Sequence, residues 1–203
     1  QAWHRIETTN RSRATMTTTR SSICSLAAGI AGLLMAPAAV AGTIESVYTP
    51  LVLEECENTT PPEMAEHGAV FKCEGHGGLD VRVAEGDLRM YVSYGDGAGS
   101  QTAAGQTIPA FNTTGETLEW RLIDGRPFAT ILRLRWDSDG RKGSTLVVTK
   151  LGEADACHVA YVQATENPDA NVLAREIADA DARRFSCARD RARTYGADGQ
   201  PIN

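Results

Sequence analysis

The chain has 203 residues, 42% of them hydrophobic, and its 20 basic and 26 acidic side chains give a formal charge of −6. This acidic balance argues against a general attraction to nucleic acid or to an anionic membrane surface. Any anionic ligand therefore requires a local basic patch.

The first 41 residues predict a leader that precedes the folded domain. Residues 1–15 come before the first methionine and have no apolar period, which indicates upstream sequence outside the fold. Residues 16–41 have the order of a secretory signal peptide: a basic residue, the apolar run "ICSLAAGIAGLLMA" and the small-residue cleavage site "AVA". The apolar run of 14 residues is shorter than the roughly 20 residues that a membrane-spanning helix needs. We therefore expect cleavage, no membrane span afterwards, and a periplasmic or secreted protein.

The remaining chain is long enough for one domain with its own core. Removal of residues 1–41 takes away four arginines and one glutamate, which changes the formal charge from −6 to −9. We expect a single β-rich domain over residues 42–187 and a flexible tail over residues 188–203, where charges alternate without apolar anchors.

Four cysteines remain in this domain, at positions Cys56, Cys73, Cys157 and Cys187. An even number of cysteines in an exported chain favours two disulfides. Three pairings are possible, and we prefer Cys56–Cys73 and Cys157–Cys187 because each pair brackets one local unit. A zinc site is disfavoured because no C-x-x-C pair is present. We expect neither a metal nor another cofactor.

Strands dominate the middle of the chain. Alternation of apolar and polar residues with a period of two predicts strands in "AVFKC", "LDVRVA", "LRMYVSY", "LEWRLI", "FATILRLRW", "STLVVTKL" and "CHVAYVQA". The intervening "EGD", "DGRP" and "DSDGRKG" are turn signals, so consecutive strands should pair in antiparallel fashion. Residues 95–115 are rich in Gly, Ala, Ser and Thr and predict a long, mobile loop.

One helix follows the strands. Asn167 is suited to the N-cap and Pro168 to the first helical position, and an apolar stripe includes Leu173, Ile177 and Phe185. The sequence therefore predicts a mainly β, α+β protein. Its architecture should be an antiparallel β-sandwich or a curved sheet, with one C-terminal helix docked on it and two disulfides.

Five arginines occupy the non-core positions of the predicted strands: Arg82, Arg89, Arg121, Arg133 and Arg135. If several of them share one sheet face, their planar guanidinium groups could bind an anionic glycan, a peptide carboxylate or an acidic protein. A solvated face, on which arginines alternate with acidic residues, is the simpler interpretation. A third possibility is that the helix covers this face and pairs its own acids with the guanidinium groups.

Catalytic signals are weak. No G-x-S-x-G motif is present, and the weak candidates for a general base are His158 and His76, neither with a recognised catalytic spacing. The leading hypothesis is thus a non-catalytic, ligand- or protein-binding domain of the cell envelope. The alternatives are a small hydrolase that acts on a cell-envelope polymer, through His158 or His76 with a nearby acid, and a purely structural periplasmic domain.

Three segments carry a resemblance to other proteins. The run "GDLRMYVSYG", the pair "EWRL" and "RPFATILRLRW", and the segment "LVVTKLGEADACHVAYVQATENPDANVLARE" together resemble a set of small exported bacterial proteins. The resemblance covers residues 48–187 approximately. It implies one exported domain, and it implies no activity or site residue.

Overall fold

The computed structural model describes residues 42–202, so the predicted leader lies outside the described residues. Ten strands follow one another along the chain: β1 (Ile44–Pro50), β2 (Glu57–Asn58), β3 (Gly68–Cys73), β4 (Val81–Gly86), β5 (Arg89–Tyr94), β6 (Phe111–Ile123), β7 (Arg126–Ser138), β8 (Arg141–Leu151), β9 (Ala156–Gln163) and β10 (Arg193–Tyr195). Helix α1 (Ala170–Ile177) lies between β9 and β10 and continues as a π-helical segment, Ala178–Ala182.

The strands form two sheets that pack face to face. A six-stranded sheet has the order β1-β6-β7-β8-β9-β10, and a four-stranded sheet has the order β2-β3-β4-β5. Val81 and Val83 of the small sheet share a buried cluster with Trp120, Leu132 and Leu134 of the large sheet. Trp120 is completely buried, and its indole N–H donates to the Thr49 hydroxyl at 2.8 Å. The predicted antiparallel β-sandwich is therefore confirmed.

The outer face of the large sheet is covered by α1. Alanines at intervals of four residues, at positions 170, 174, 178 and 182, are almost fully buried and form one stripe of the helix. They pack against a second buried cluster that includes Ile131 and Val148. The helix begins at Ala170, slightly later than expected, because Asn167 caps the preceding turn by accepting the Asp169 N–H at 3.0 Å.

Three hairpins join neighbouring strands through two-residue turns. Both central residues have positive φ in each turn, namely Asp87 and Leu88, Asp124 and Gly125, and Asp139 and Gly140. These are the turns that the sequence predicts. Leu88 is the first residue of the predicted strand "LRMYVSY", but it lies in the turn itself and its side chain is exposed.

Both preferred disulfides are confirmed. Cys56 pairs with Cys73 in the small sheet, and Cys157 of β9 pairs with Cys187, which follows the π-helical segment. Two disulfides suggest an oxidising, extracytoplasmic environment. Among the described residues, no helix combines the length and the apolar character needed to cross a membrane.

Two segments that the sequence predicts to be loose contribute residues to the core. The segment expected to be a flexible tail includes β10, which pairs parallel with β9 and places Tyr195 in the core beneath the helix. The Gly-rich loop after β5 likewise buries Ala103 and Ile108 in the sandwich core. In both segments, a few apolar residues among many polar ones suffice to dock the backbone.

Candidate functional site

The five candidate arginines do not share one face. Arg82 on β4 and Arg89 on β5 belong to the small sheet, whereas Arg121, Arg133 and Arg135 belong to the large sheet. The chain changes sheets between β5 and β6, so strands that are consecutive in sequence are not neighbours at this point. At most three of the five, Arg121, Arg133 and Arg135, can therefore share one sheet face.

Arg121 is buried beneath the helix and paired. Its Nε lies 2.9 Å from Asp179 Oδ1 and its Nη2 lies 2.5 Å from Asp179 Oδ2, and the residue is 8% exposed. The neighbouring Glu119 is paired in the same way with Arg175 of α1, whose Nε lies 2.7 Å from Glu119 Oε1. The helix therefore covers the Arg121 guanidinium and supplies the acid that pairs with it, which is one of the three arrangements considered from the sequence.

The two arginines of the small sheet, Arg82 and Arg89, lie apart from the other three. Arg82 is half-buried on β4, opposite Ser93 of β5. The Nε of Arg89 donates to the Pro109 carbonyl at 2.8 Å, and its guanidinium forms an ion pair with Asp87. The same guanidinium lies 5.1 Å from the ring centroid of Phe111. Arg89 thus fixes the beginning of β6 and its aromatic ring.

Arg133 and Arg135 lie together on β7, on the outer face of the large sheet, where Arg133 contacts the first turn of α1. Arg135 is opposite Thr113 of β6 and Ser144 of β8 in the sheet register. The next cross-strand row on this face contains Phe111, Asp137 and Lys142. Side chains two residues apart on a strand lie on one face, so these two rows form a continuous surface.

Among the described residues, neither guanidinium group has a carboxylate partner. Arg133 donates from Nη1 to the Ser144 hydroxyl at 2.9 Å and from Nη2 to Asn171 Oδ1 at 3.2 Å, and both of these acceptors are neutral. Within residues 42–202, Arg135 forms neither a hydrogen bond nor an ion pair through its side chain, and it is exposed. Partial burial, and then the nearby charge of Arg135, lower the pKa of Arg133 from its ordinary value. The two positive charges therefore repel each other, and no carboxylate of the described residues is in direct contact with either of them.

A cleft of about 780 Å³ is present beside these two arginines. We call it the arginine cleft. Its charged lining residues are Arg133, Arg135, Lys142, Glu85 and Asp137, and its large apolar lining residues are Leu88, Met90, Phe111 and Trp136. A smaller depression of about 370 Å³ shares the two arginines and reaches Arg175 and Glu119. The arginine cleft combines an excess of positive charge with an apolar wall.

The two weak histidine candidates lie elsewhere. His158 is 4% exposed in the sandwich, and its Nδ1 is 2.8 Å from the Tyr161 hydroxyl. Burial lowers the pKa of His158 to about 3, so its ring is neutral at ordinary pH. His76 is half-buried, with its ring centroid 6.1 Å from that of Trp120. Neither histidine lines the arginine cleft, and the described residues hold no cluster of metal-ligating side chains.

Of the residues that line this cleft, the sequence indicated only Arg133 and Arg135 as site residues; Leu88, Phe111 and Lys142 are among those it did not indicate. One signal for Leu88 was visible, because two of the hairpin turns read Asp-Gly and the remaining one reads Asp-Leu. The positions of Phe111 and Lys142 depend on which residues of β6, β7 and β8 lie opposite one another, and the sequence does not show this register.

Comparison of the chain with protein-family models, with curated proteins and with solved structures finds no match. The functional interpretation consequently depends on the chemistry of the cleft.

Proposed function

We propose that the protein is an exported protein of the cell envelope that binds an anionic ligand at the arginine cleft and does not convert it chemically. The observation that carries this proposal is the pair Arg133 and Arg135, two guanidinium groups on one sheet face that have no carboxylate partner within residues 42–202. Like charges side by side on a sheet are unfavourable. An anion between them would relieve that repulsion.

The chemistry of arginine supports this assignment. A guanidinium presents a planar set of donors that fits carboxylate, phosphate or sulfate oxygens. The charge of the predicted mature chain is −9, so long-range attraction does not explain binding of an anion, and the local arrangement has to supply it. An anionic glycan, a peptide carboxylate and an acidic protein surface all carry a suitable group.

Export is the second part of the proposal. It is supported by the signal-peptide pattern of residues 16–41 and by the two disulfides. Intact-mass measurement of the protein recovered from the periplasm or medium should give a chain that begins at Gly42 and carries both disulfides. A mass that retains residues 16–41 would contradict cleavage.

Binding can be tested with immobilised dextran sulfate, and with neutral dextran as the matched surface. We expect the protein to be retained on the sulfated polymer only, and retention should weaken as salt increases. Replacement of both Arg133 and Arg135 by glutamine should reduce retention at least tenfold. The control is Arg126→Gln, because Arg126 is an exposed arginine at the opposite end of β7. Equal retention of the double variant and the control would contradict the proposal.

A further inference from the structure

Leu88 occupies a position where this chain otherwise uses glycine. The second central residue of each two-residue hairpin turn has positive φ, with values of 60° at Leu88, 75° at Gly125 and 77° at Gly140. This left-handed conformation is unfavourable for a residue with a Cβ, and turns of this kind strongly prefer glycine there. The turn between β4 and β5 therefore holds a strained leucine.

Folding does not explain the choice of leucine. Its side chain is 62% exposed, so it contributes little to the core. Its backbone is well held: the N–H donates to Glu85 Oε1 at 3.0 Å and the carbonyl accepts the Asn112 N–H at 2.9 Å. Strained conformations persist at ligand-binding sites when the surroundings enforce them. Leu88 meets this description because it lines the arginine cleft.

A second exposed apolar residue lies beside it. Phe111 is 49% exposed, directly precedes Asn112, and is held by the guanidinium of Arg89. Phe111 is two residues from Thr113, which is opposite Arg135 in the register, so Phe111 and Arg135 lie on the same face. One part of the cleft thus offers exposed apolar surface, and the adjoining part offers two guanidinium groups that have no carboxylate partner within residues 42–202.

We infer that the arginine cleft binds a single-chain anionic amphiphile, with its head group on Arg133 and Arg135 and its alkyl chain against Leu88 and Phe111. This inference rests on the proposed function and names the ligand class. A volume of about 780 Å³ is within the range of small-molecule sites. A second copy of the chain is a poorer occupant, because two facing clefts would bring their arginines together.

The inference can be tested by calorimetric titration of the protein with decyl phosphate below its micellar concentration. Methyl phosphate supplies the head group without the chain, and decyltrimethylammonium supplies the chain with the opposite charge. We expect decyl phosphate to bind at least tenfold more tightly than methyl phosphate, and decyltrimethylammonium to show no saturable binding. Equal affinity for decyl and methyl phosphate would overturn the inference and leave anion binding intact.

Variants separate this inference from the proposed function. Leu88→Gly should weaken decyl phosphate binding at least fivefold without changing methyl phosphate binding, and it should not unfold the protein, since glycine suits the turn. The matched control is Val172→Ala, because Val172 is 51% exposed on α1 outside the cleft. Unchanged decyl phosphate affinity in Leu88→Gly would overturn the role of Leu88. If replacing Arg133 and Arg135 changes the binding of no anion, decyl phosphate and dextran sulfate included, the proposed function itself fails.

Discussion

Arg121 and Asp179 form a two-point ion pair that joins β6 to the π-helical segment after α1, with Nε to Oδ1 at 2.9 Å and Nη2 to Oδ2 at 2.5 Å. Arg135 lies on the neighbouring strand β7, six residues along from Ala129, which is opposite Arg121, and it has no such partner in the described part of the chain. This contrast separates a structural arginine from a candidate ligand-binding arginine.

The first prediction follows from that contrast. Arg121→Gln leaves the Asp179 carboxylate unpaired at a largely buried contact and should lower the free energy of unfolding by roughly 3 kcal/mol. Arg135→Gln removes an exposed, unpaired charge and should change the free energy of unfolding by less than about 0.5 kcal/mol. Urea denaturation of both variants gives the comparison. Similar losses in the two variants would mean that Arg135 also stabilises the fold.

The second prediction concerns strain in the turn between β4 and β5. Leu88→Gly should raise the free energy of unfolding by about 1 kcal/mol, because the left-handed conformation costs a leucine about that much. The loss of an exposed side chain should offset little of this gain. Thermal denaturation should be measured for Leu88→Gly and for the wild-type protein. Gly125→Ala is the converse variant, and it should be destabilised. A destabilised Leu88→Gly variant would show that the leucine is present for folding.

The third prediction concerns the disulfide between Cys157 and Cys187, which anchors the chain after the π-helical segment to β9. Closing a loop of about 31 residues stabilises a protein by roughly 3.5 kcal/mol in the chain-entropy model. Replacement of both cysteines by alanine should therefore lower stability by roughly this amount and loosen β10, while the small sheet keeps its protection in hydrogen exchange. Uniform loss of protection across both sheets would instead indicate one cooperative unit.

The fourth prediction concerns His158. Its pKa is about 3 in the folded protein because burial disfavours the charged ring, whereas 6.5 is the ordinary value. Between these values the unfolded chain binds a proton that the folded chain does not bind, so stability is present above pH 6.5 and is lost as the pH falls. From pH 6.5 to pH 5 the loss should be about 2 kcal/mol.

His158→Gln should show a shallower loss of stability over that pH interval in urea denaturation, even if its stability at neutral pH is lower. His67→Gln is the control, because His67 is exposed. An unchanged slope in His158→Gln would mean that the ring is protonated in the folded state.

Much of the fold could be predicted from local patterns. The period-two segments, the Asp-Gly turns and the cysteine spacing define strands, hairpins and disulfides, because each depends on residues close in sequence. Strands β1 and β10 were not predicted, since their pairing partners are far away in the chain. The alternation of "TILRLRW" also correctly placed Leu132 and Leu134 in the core and Arg133 and Arg135 on the opposite face.

The site was harder to predict because it depends on which strands belong to which sheet. The sequence showed five arginines on non-core positions but not that Arg82 and Arg89 belong to a second sheet, or that Asp179 would pair with Arg121. The helix covers only part of the outer face of the large sheet. How much of the face it covers depends on how the alanine stripe packs. All of these contacts join residues that are far apart in the chain, and the spacing of residues along one strand does not predict them.

Anion binding at Arg133 and Arg135 can be observed directly at the arginine side chains during ligand titration. In ¹⁵N-resolved NMR spectra, the Nε–H resonances of Arg133 and Arg135 should shift progressively as decyl phosphate is added, together with the indole N–H of Trp136. The Nε–H resonance of Arg121, already bonded to Asp179, should not move and serves as the internal reference. Shifts confined to other arginines, or no saturable shift at Arg133 and Arg135, would contradict the account.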